Sequence, residues 1–169
     1  MESRSVFLAD AAATADLGRQ LAETWLRLPA DRRPLLLLEG DLGAGKTCLV
    51  QGIAGALGIE EAITSPTFAL AQHYRGRRDG TVTALVHLDL YRLELPAAAD
   101  ELFAQEEEEA RALGALLAVE WAGRLSNPPT GALQVSLTLA EPGDPAAGRL
   151  ARVDLNADDG GDPAAHNRG

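Results

Sequence analysis

The segment Gly40-Asp41-Leu42-Gly43-Ala44-Gly45-Lys46-Thr47 constrains this chain more than any other part of it. It fits the spacing G-x-x-x-x-G-K-[ST], and it stands in the context that spacing needs. Before it lies Leu35-Leu36-Leu37-Leu38, an aliphatic run without alternation, which predicts a strand covered on both faces of a parallel sheet. After it, Leu49, Val50, Ile53 and Leu57 recur at helical spacing over residues 46–57, and Gly58 is the expected stop. Glycines let such a loop wrap tightly, so that backbone N–H groups converge on phosphate oxygens at a helix N-terminus. Lys46 then offers a full positive charge to β- and γ-phosphates, and the Thr47 hydroxyl is placed to ligate Mg²⁺. The segment predicts a nucleotide-phosphate cradle.

The rest of the chain reads as alternating strands and helices. Residues 6–8 predict a first strand, and Asp10 caps a helix whose Leu17, Leu21, Trp25 and Leu28 form one apolar stripe. Residues 29–34 end that helix. Strands over 68–74 and 81–88 flank a hairpin tip at 75–80. A helix opens at Leu95-Pro96 and runs to residue 113, and a buried strand follows over 115–119. Two more strands, 133–139 and 150–155, flank a turn at 141–145. Aromatic residues are 4% of the chain against 46% hydrophobic, so the core rests on Leu, Val, Ile and Ala. The fold class is α/β: a P-loop NTPase-like, mostly parallel sheet flanked by helices, with antiparallel strands at the hairpin and the C-terminal end. With 169 residues this makes one domain over 1–155 and a polar tail, 156–169, expected to be disordered.

A phosphate loop needs an acid at the end of a buried strand to hold Mg²⁺ directly or through water. Asp89 ends Ala84-Leu85-Val86-His87-Leu88, and Glu120 ends Ala115-Leu116-Leu117-Ala118-Val119. Both are expected at the carboxyl edge of the sheet, where ligands of open α/β sheets bind. Their roles are interchangeable at this level: one orients or deprotonates an attacking water, the other holds magnesium with Thr47. Ser65-Pro66-Thr67-Phe68 reads first as a proline turn starting a strand, and second as a segment whose Thr67 senses the γ-phosphate.

Charge and cysteine content narrow the setting. Lys+Arg number 15 against 25 Asp+Glu, a formal net charge of −10, which argues against a dedicated nucleic-acid binder. The single cysteine, Cys48, forms no internal disulfide and reads as a small packed residue. No apolar run is long enough to span a bilayer, so a cytoplasmic protein is expected. The run Glu106-Glu107-Glu108-Glu109 reads as a solvated helix face rather than a metal site, because consecutive side chains fan out around a helix. Arg75, Arg77 and Arg78 are expected at the hairpin tip as a solubilising turn, or as a surface meeting tRNA or an acidic partner. His73, His87 and His166 form no ligand set, and His87 is expected to be a structural hydrogen-bonding residue.

Four blocks together resemble a known family: the loop at 40–47, Ser65-Pro66-Thr67-Phe68, His87-Leu88-Asp89-Leu90-Tyr91-Arg92, and Glu120-Trp121. Their order and spacing are similar to those of the bacterial tRNA threonylcarbamoyladenosine biosynthesis ATPase, TsaE (also called YjeE). The resemblance spans about residues 7–155. It implies a small ATPase using ATP and Mg²⁺ beside a TsaB–TsaD heterodimer, which modifies adenosine next to the tRNA anticodon. tRNA contact is then indirect, and the ATPase resets or sustains the complex rather than transferring the group. The implied catalytic residues are Lys46, Asp89 and Glu120, with Thr47 and Glu120 on the metal. The implied nucleotide set is residues 40–48, that is Gly40, Asp41, Leu42, Gly43, Ala44, Gly45, Lys46, Thr47 and Cys48, joined by Thr67 as switch threonine, Trp121 beside the site and Arg149 near the base. The chain departs from the family at Cys48, where a second threonine is usual, and between Tyr91 and Glu120, where the match is poor. No arginine finger is evident, so slow turnover alone is expected. Two rivals remain: a small-molecule kinase with Arg111 or Arg124 on a lid, and an ATP-gated binding module with little hydrolysis.

Overall fold

Asp10 begins the first helix as expected, its carboxylate accepting from the Ala13 N–H at 2.8 Å. In the computed structural model, residues 3–41, 43–64 and 70–155 are described. Leu42, Thr67 and the tail expectation for 156–169 therefore lie outside the described residues. The elements are β1 (Ser3–Leu8), α1 (Ala11–Arg27), β2 (Leu36–Glu39), α2 (Lys46–Ala56), β3 (Ala71–Arg78), β4 (Thr81–Asp89), α3 (Pro96–Leu113), β5 (Leu116–Glu120), β6 (Leu133–Glu141) and β7 (Asp144–Leu155). One 3₁₀ turn, Ala30–Arg32, separates α1 from β2, and another, Ala122–Arg124, follows β5.

The strands form one sheet in the order β1-β7-β6-β2-β5-β4-β3. Its centre is parallel: β2 pairs with β5 and β6, and β4 pairs with β5. Its margins are antiparallel, at β3–β4 and at β6–β7–β1. Successive strand residues point to opposite faces, and the leucines of β2 divide accordingly. Leu36 and Leu38 join the core under α1 and α2, while Leu37 joins the core under α3. The unalternating run is thus buried on both faces, as its composition predicts.

Helices α1 and α2 touch backbone to backbone. A Cβ on Gly18 would lie 2.1 Å from the Leu49 carbonyl oxygen, and one on Gly52 would lie 1.9 Å from that of Ala15. Only glycine permits this crossing, which seats the N-terminus of α1 against the loop that precedes α2. Trp25 is buried in the same layer, and its indole N–H donates to the Pro34 carbonyl at 2.9 Å.

The hairpins are tighter than expected. Asp79 and Gly80, with φ of 51° and 78°, make a two-residue turn, so β3 runs on to residue 78. Arg75, Arg77 and Arg78 consequently sit on a strand rather than at a tip. Arg78 reaches back to α2, donating to the Ala56 carbonyl at 2.8 Å. Likewise, Pro142-Gly143 alone joins β6 to β7, and both strands extend further than their apolar cores suggest. Among the described residues no helix is long and apolar enough to cross a membrane.

Candidate nucleotide site

Glycine geometry shapes the turn between β2 and α2. Gly40, Gly43 and Gly45 have φ of 152°, 81° and 105°, values that side-chain-bearing residues rarely adopt. Helix α2 starts at Lys46 with no side chain capping it. The first N–H groups of a helix have no partner within it, so these donors and the positive end of the helix dipole are left for a ligand. Arg149, arriving from β7, braces the loop from outside. Its guanidinium donates to the carbonyls of Gly43 at 3.1 Å, Ala44 at 3.2 Å and Pro145 at 2.6 Å.

Lys46 is almost fully buried at 7% exposure. Its ammonium donates to the Gly40 carbonyl at 2.5 Å and lies 3.7 Å from Glu120 Oε1. It also sits 5.0 Å from the centre of the Trp121 ring. The lysine is thus folded onto its own loop, among groups that a phosphate oxygen can displace.

Sheet order separates the two strand-end acids that the sequence leaves equivalent. Strand β5 lies between β2 and β4. Glu120 therefore emerges one strand from the loop and beside Lys46, whereas Asp89, its register partner on β4, emerges one strand further out. The period of two also puts His87 and Asp89 on one face of β4. His87 is fully buried, and its Nε2 lies 2.6 Å from Glu120 Oε2. Asp89 is partly exposed and accepts from the Tyr91 N–H at 3.0 Å. Burial holds the Asp89 carboxyl above the ordinary carboxylate range, and the neighbouring Glu120 charge adds to this; the Tyr91 N–H and the Lys46 charge oppose it.

Trp121 follows Glu120 in a left-handed conformation, φ 61°. For a bulky residue this costs on the order of 1–3 kcal/mol and turns the chain sharply at the end of β5. The ring packs on Tyr91 with centroids 4.8 Å apart. The Arg124 guanidinium lies 5.8 Å from the Tyr91 ring and 6.0 Å from the Trp121 ring, and it donates to the Tyr91 carbonyl at 3.0 Å. This packing holds the indole over Lys46.

The cleft has a volume of about 390 Å³, within the range of small-ligand sites. Gly43, Gly45, Lys46, Thr47, Cys48, Asp89, Glu120, Trp121 and Arg149 all line it. Gly40 and Asp41 border an adjoining hollow that also reaches Lys46 and Trp121, and Ala44 is buried beneath the loop. Sequence reading missed a whole wall: Asp10 and Thr14 at the start of α1, and Pro145 and Gly148 on β7. The capping signal at Asp10 marks where α1 starts, but only the glycine crossing of α1 and α2 brings that start to the loop. The loop amides and Lys46 fit a triphosphate, and the oxygen donors of Thr47, Glu120 and Asp89 fit Mg²⁺. Arg111 lies elsewhere, bordering a hollow with Pro34, Leu35 and Gly114 at the opposite edge of the sheet.

The acidic run is not uniformly solvated. Glu106 is buried at 6% exposure, on the stripe of α3 that also buries Ala99 and Ala110. It meets His73 Nε2 of β3 at 2.6 Å, and Glu109 Oε2 meets His73 Nδ1 at 3.5 Å. Residues three apart share a helix face, so Glu106 and Glu109 converge even though consecutive members of the run fan out. The two carboxylates address different ring nitrogens, which is a clamp on an imidazole rather than three atoms aimed at one point.

A family profile described as "Threonylcarbamoyl adenosine biosynthesis protein TsaE" matches residues 8–145. A tRNA threonylcarbamoyladenosine biosynthesis protein TsaE from Nostoc sp. is 41% identical over 138 residues, 82% of this chain and 80% of that protein. One of the same name from Synechocystis sp. is 44% identical over 131 residues, 76% of each chain. In three dimensions the fold is similar to that of the crystal structure of Bacillus subtilus YdiB. The TM-score is 0.61 at 26% identity, covering 92% of this chain and 87% of that one.

Proposed function

The chain belongs to the TsaE family, and on that premise we propose that it is a Mg²⁺-dependent ATPase serving tRNA threonylcarbamoyladenosine biosynthesis beside a TsaB–TsaD-type heterodimer. One observation carries the chemistry: Lys46 heads α2 in a glycine cradle, 3.7 Å from a buried carboxylate on the adjacent strand, with a second carboxylate one strand beyond.

Each residue then has a distinct task. The loop amides and Lys46 bind the β- and γ-phosphates, the ammonium exchanging the Gly40 carbonyl for phosphate oxygen. Thr47 and Glu120 would hold Mg²⁺, which when bound would supply charge neutralisation for the phosphates. Asp89 orients the attacking water and accepts its proton. Its carboxyl, held above the ordinary range by burial, is a better proton acceptor than an ordinary aspartate. Arg149 lines the cleft but spends its donors on loop carbonyls, and among the described residues it is the only arginine lining it. That supports slow turnover by the chain alone and faster turnover when a partner completes the site. The net charge of −10 supports contact with tRNA through partners rather than directly.

Phosphate release measured with and without the heterodimer tests this. Mg²⁺-dependent hydrolysis that accelerates with partners is the expected result. Equal kcat in both cases removes the partner effect. ATP-dependent association without phosphate release would instead make the protein a nucleotide-gated binding module.

A further inference from the structure

His87 has no exposed surface, and its two ring nitrogens stand in opposite situations. Nε2 lies 2.6 Å from Glu120 Oε2, while Nδ1 is buried with no hydrogen-bond partner among the described residues. A carboxylate has no proton to give, so the ring supplies the one in that bond. The geometry therefore places a proton on Nε2, aimed at Oε2.

We propose that His87 is a positioning residue: its Nε2–H holds Oε2 of Glu120 so that Oε1 alone faces Lys46 and the cleft. This rests on the reading of Glu120 as a magnesium-holding acid. Its consequence for the lysine follows from charge. A buried carboxylate without that donor turns both oxygens toward the Lys46 ammonium, and a lysine held by two oxygens is withdrawn from phosphate. The file of side chains makes room for the bond, because the β5 residue directly opposite His87 is Ala118. Among the described residues His87 is the side chain that bonds Glu120 Oε2, and the orientation of this acid rests on that donor.

Three replacements separate positioning from simple core filling. In His87→Gln the amide nitrogen stands at the same remove from Cβ as Nε2 and keeps the donor; His87→Asn is too short to reach; His87→Leu fills the space without it. The leucine and asparagine variants are expected to lose about tenfold in kcat and to need more Mg²⁺ for half-saturation. Their ATP affinity in EDTA should stay within about twofold of wild type, and glutamine should restore the Mg²⁺ response. A leucine variant with wild-type kcat and Mg²⁺ dependence, or a glutamine variant as impaired as leucine, overturns the proposal. Nitrogen-15 NMR of the imidazoles in nucleotide-free protein gives a readout independent of activity and of the stability of the variants. His87 is expected as the Nε2–H tautomer with a slowly exchanging proton, which Glu120→Gln accelerates. An Nδ1–H tautomer overturns it. If the folded wild type neither binds nor hydrolyses ATP, the ATPase reading fails, and the NMR result still decides the hydrogen bond.

Discussion

His87 with Glu120 and His73 with Glu106 are the same two side-chain types, closed at the same 2.6 Å over the same separation of 33 residues. Their surroundings differ. The first pair is sealed, with side chains 0% and 5% exposed, and its carboxylate also faces Lys46. The second is open on the histidine side at 37%, and its imidazole is shared with Glu109. A carboxylate held between an imidazole and a lysine at the mouth of a glycine loop is placed to act on a ligand in the cleft. One that meets only an imidazole beneath a helix braces α3 to the edge strand β3. The bond is common to both; the third group decides the use.

The largest way to sharpen this contrast is at Asp89, an acid that only the first pair has beside it. Asp89→Asn should lower kcat by about 10²–10⁴ while ATP affinity stays within a few-fold. The same variant carries a pH signature. Because burial raises the Asp89 carboxyl, the fold favours its protonated form. That contribution is full below the ordinary carboxylate value of about 3.9 and is lost as pH rises through the raised value. Asparagine keeps the acceptor for the Tyr91 N–H and carries no charge. It should therefore raise the melting temperature at neutral pH by about 1–3 °C, a gain that vanishes in acid.

Next in size is removal of the third group itself. Lys46→Ala should weaken ATP binding by roughly 10- to 150-fold, the worth of a charge-assisted hydrogen bond, as read by titration with a fluorescent nucleotide. A smaller effect comes from comparing the two histidines directly. Against the kcat loss expected of His87→Leu, His73→Leu should leave kcat within about twofold, since its clamp does not line the cleft. If both leucine variants lose activity equally, the contrast between the pairs collapses. Smallest of all, His73→Leu and Glu106→Gln should each cost about 1 kcal/mol of stability. The double variant should cost less than their sum in denaturant melts, because both remove one bond.

Much of the site is legible in residue order. The loop's glycines, Lys46 and Thr47 are contiguous, so a local rule of spacing finds them together with the strand and helix that frame them. Asp89 and Glu120 are found as a type, acids ending apolar strands, but not as individuals. Telling them apart needs β5 to lie between β2 and β4, a pairing that no stretch of sequence states. Glu106 escapes for a related reason: in a run of four glutamates, only the direction in which α3 faces the sheet selects the buried one. The hairpin at Asp79-Gly80 was readable from its Asp-Gly pair, yet the arginine-rich flank suggested a longer loop than the turn requires.

Local chemistry therefore settled the glycine loop between β2 and α2, the alternation of strands and helices, and the division of β2 leucines between two cores, because each depends on neighbours a few residues away. Assembly of the sheet decided which acid stands beside Lys46, which histidine orients it, and which wall α1 and β7 add to the cleft. Those outcomes depend on contacts between segments 31 to 106 residues apart. Such contacts are set by the packing of whole strands and helices, and side-chain identity at either end carries no record of them.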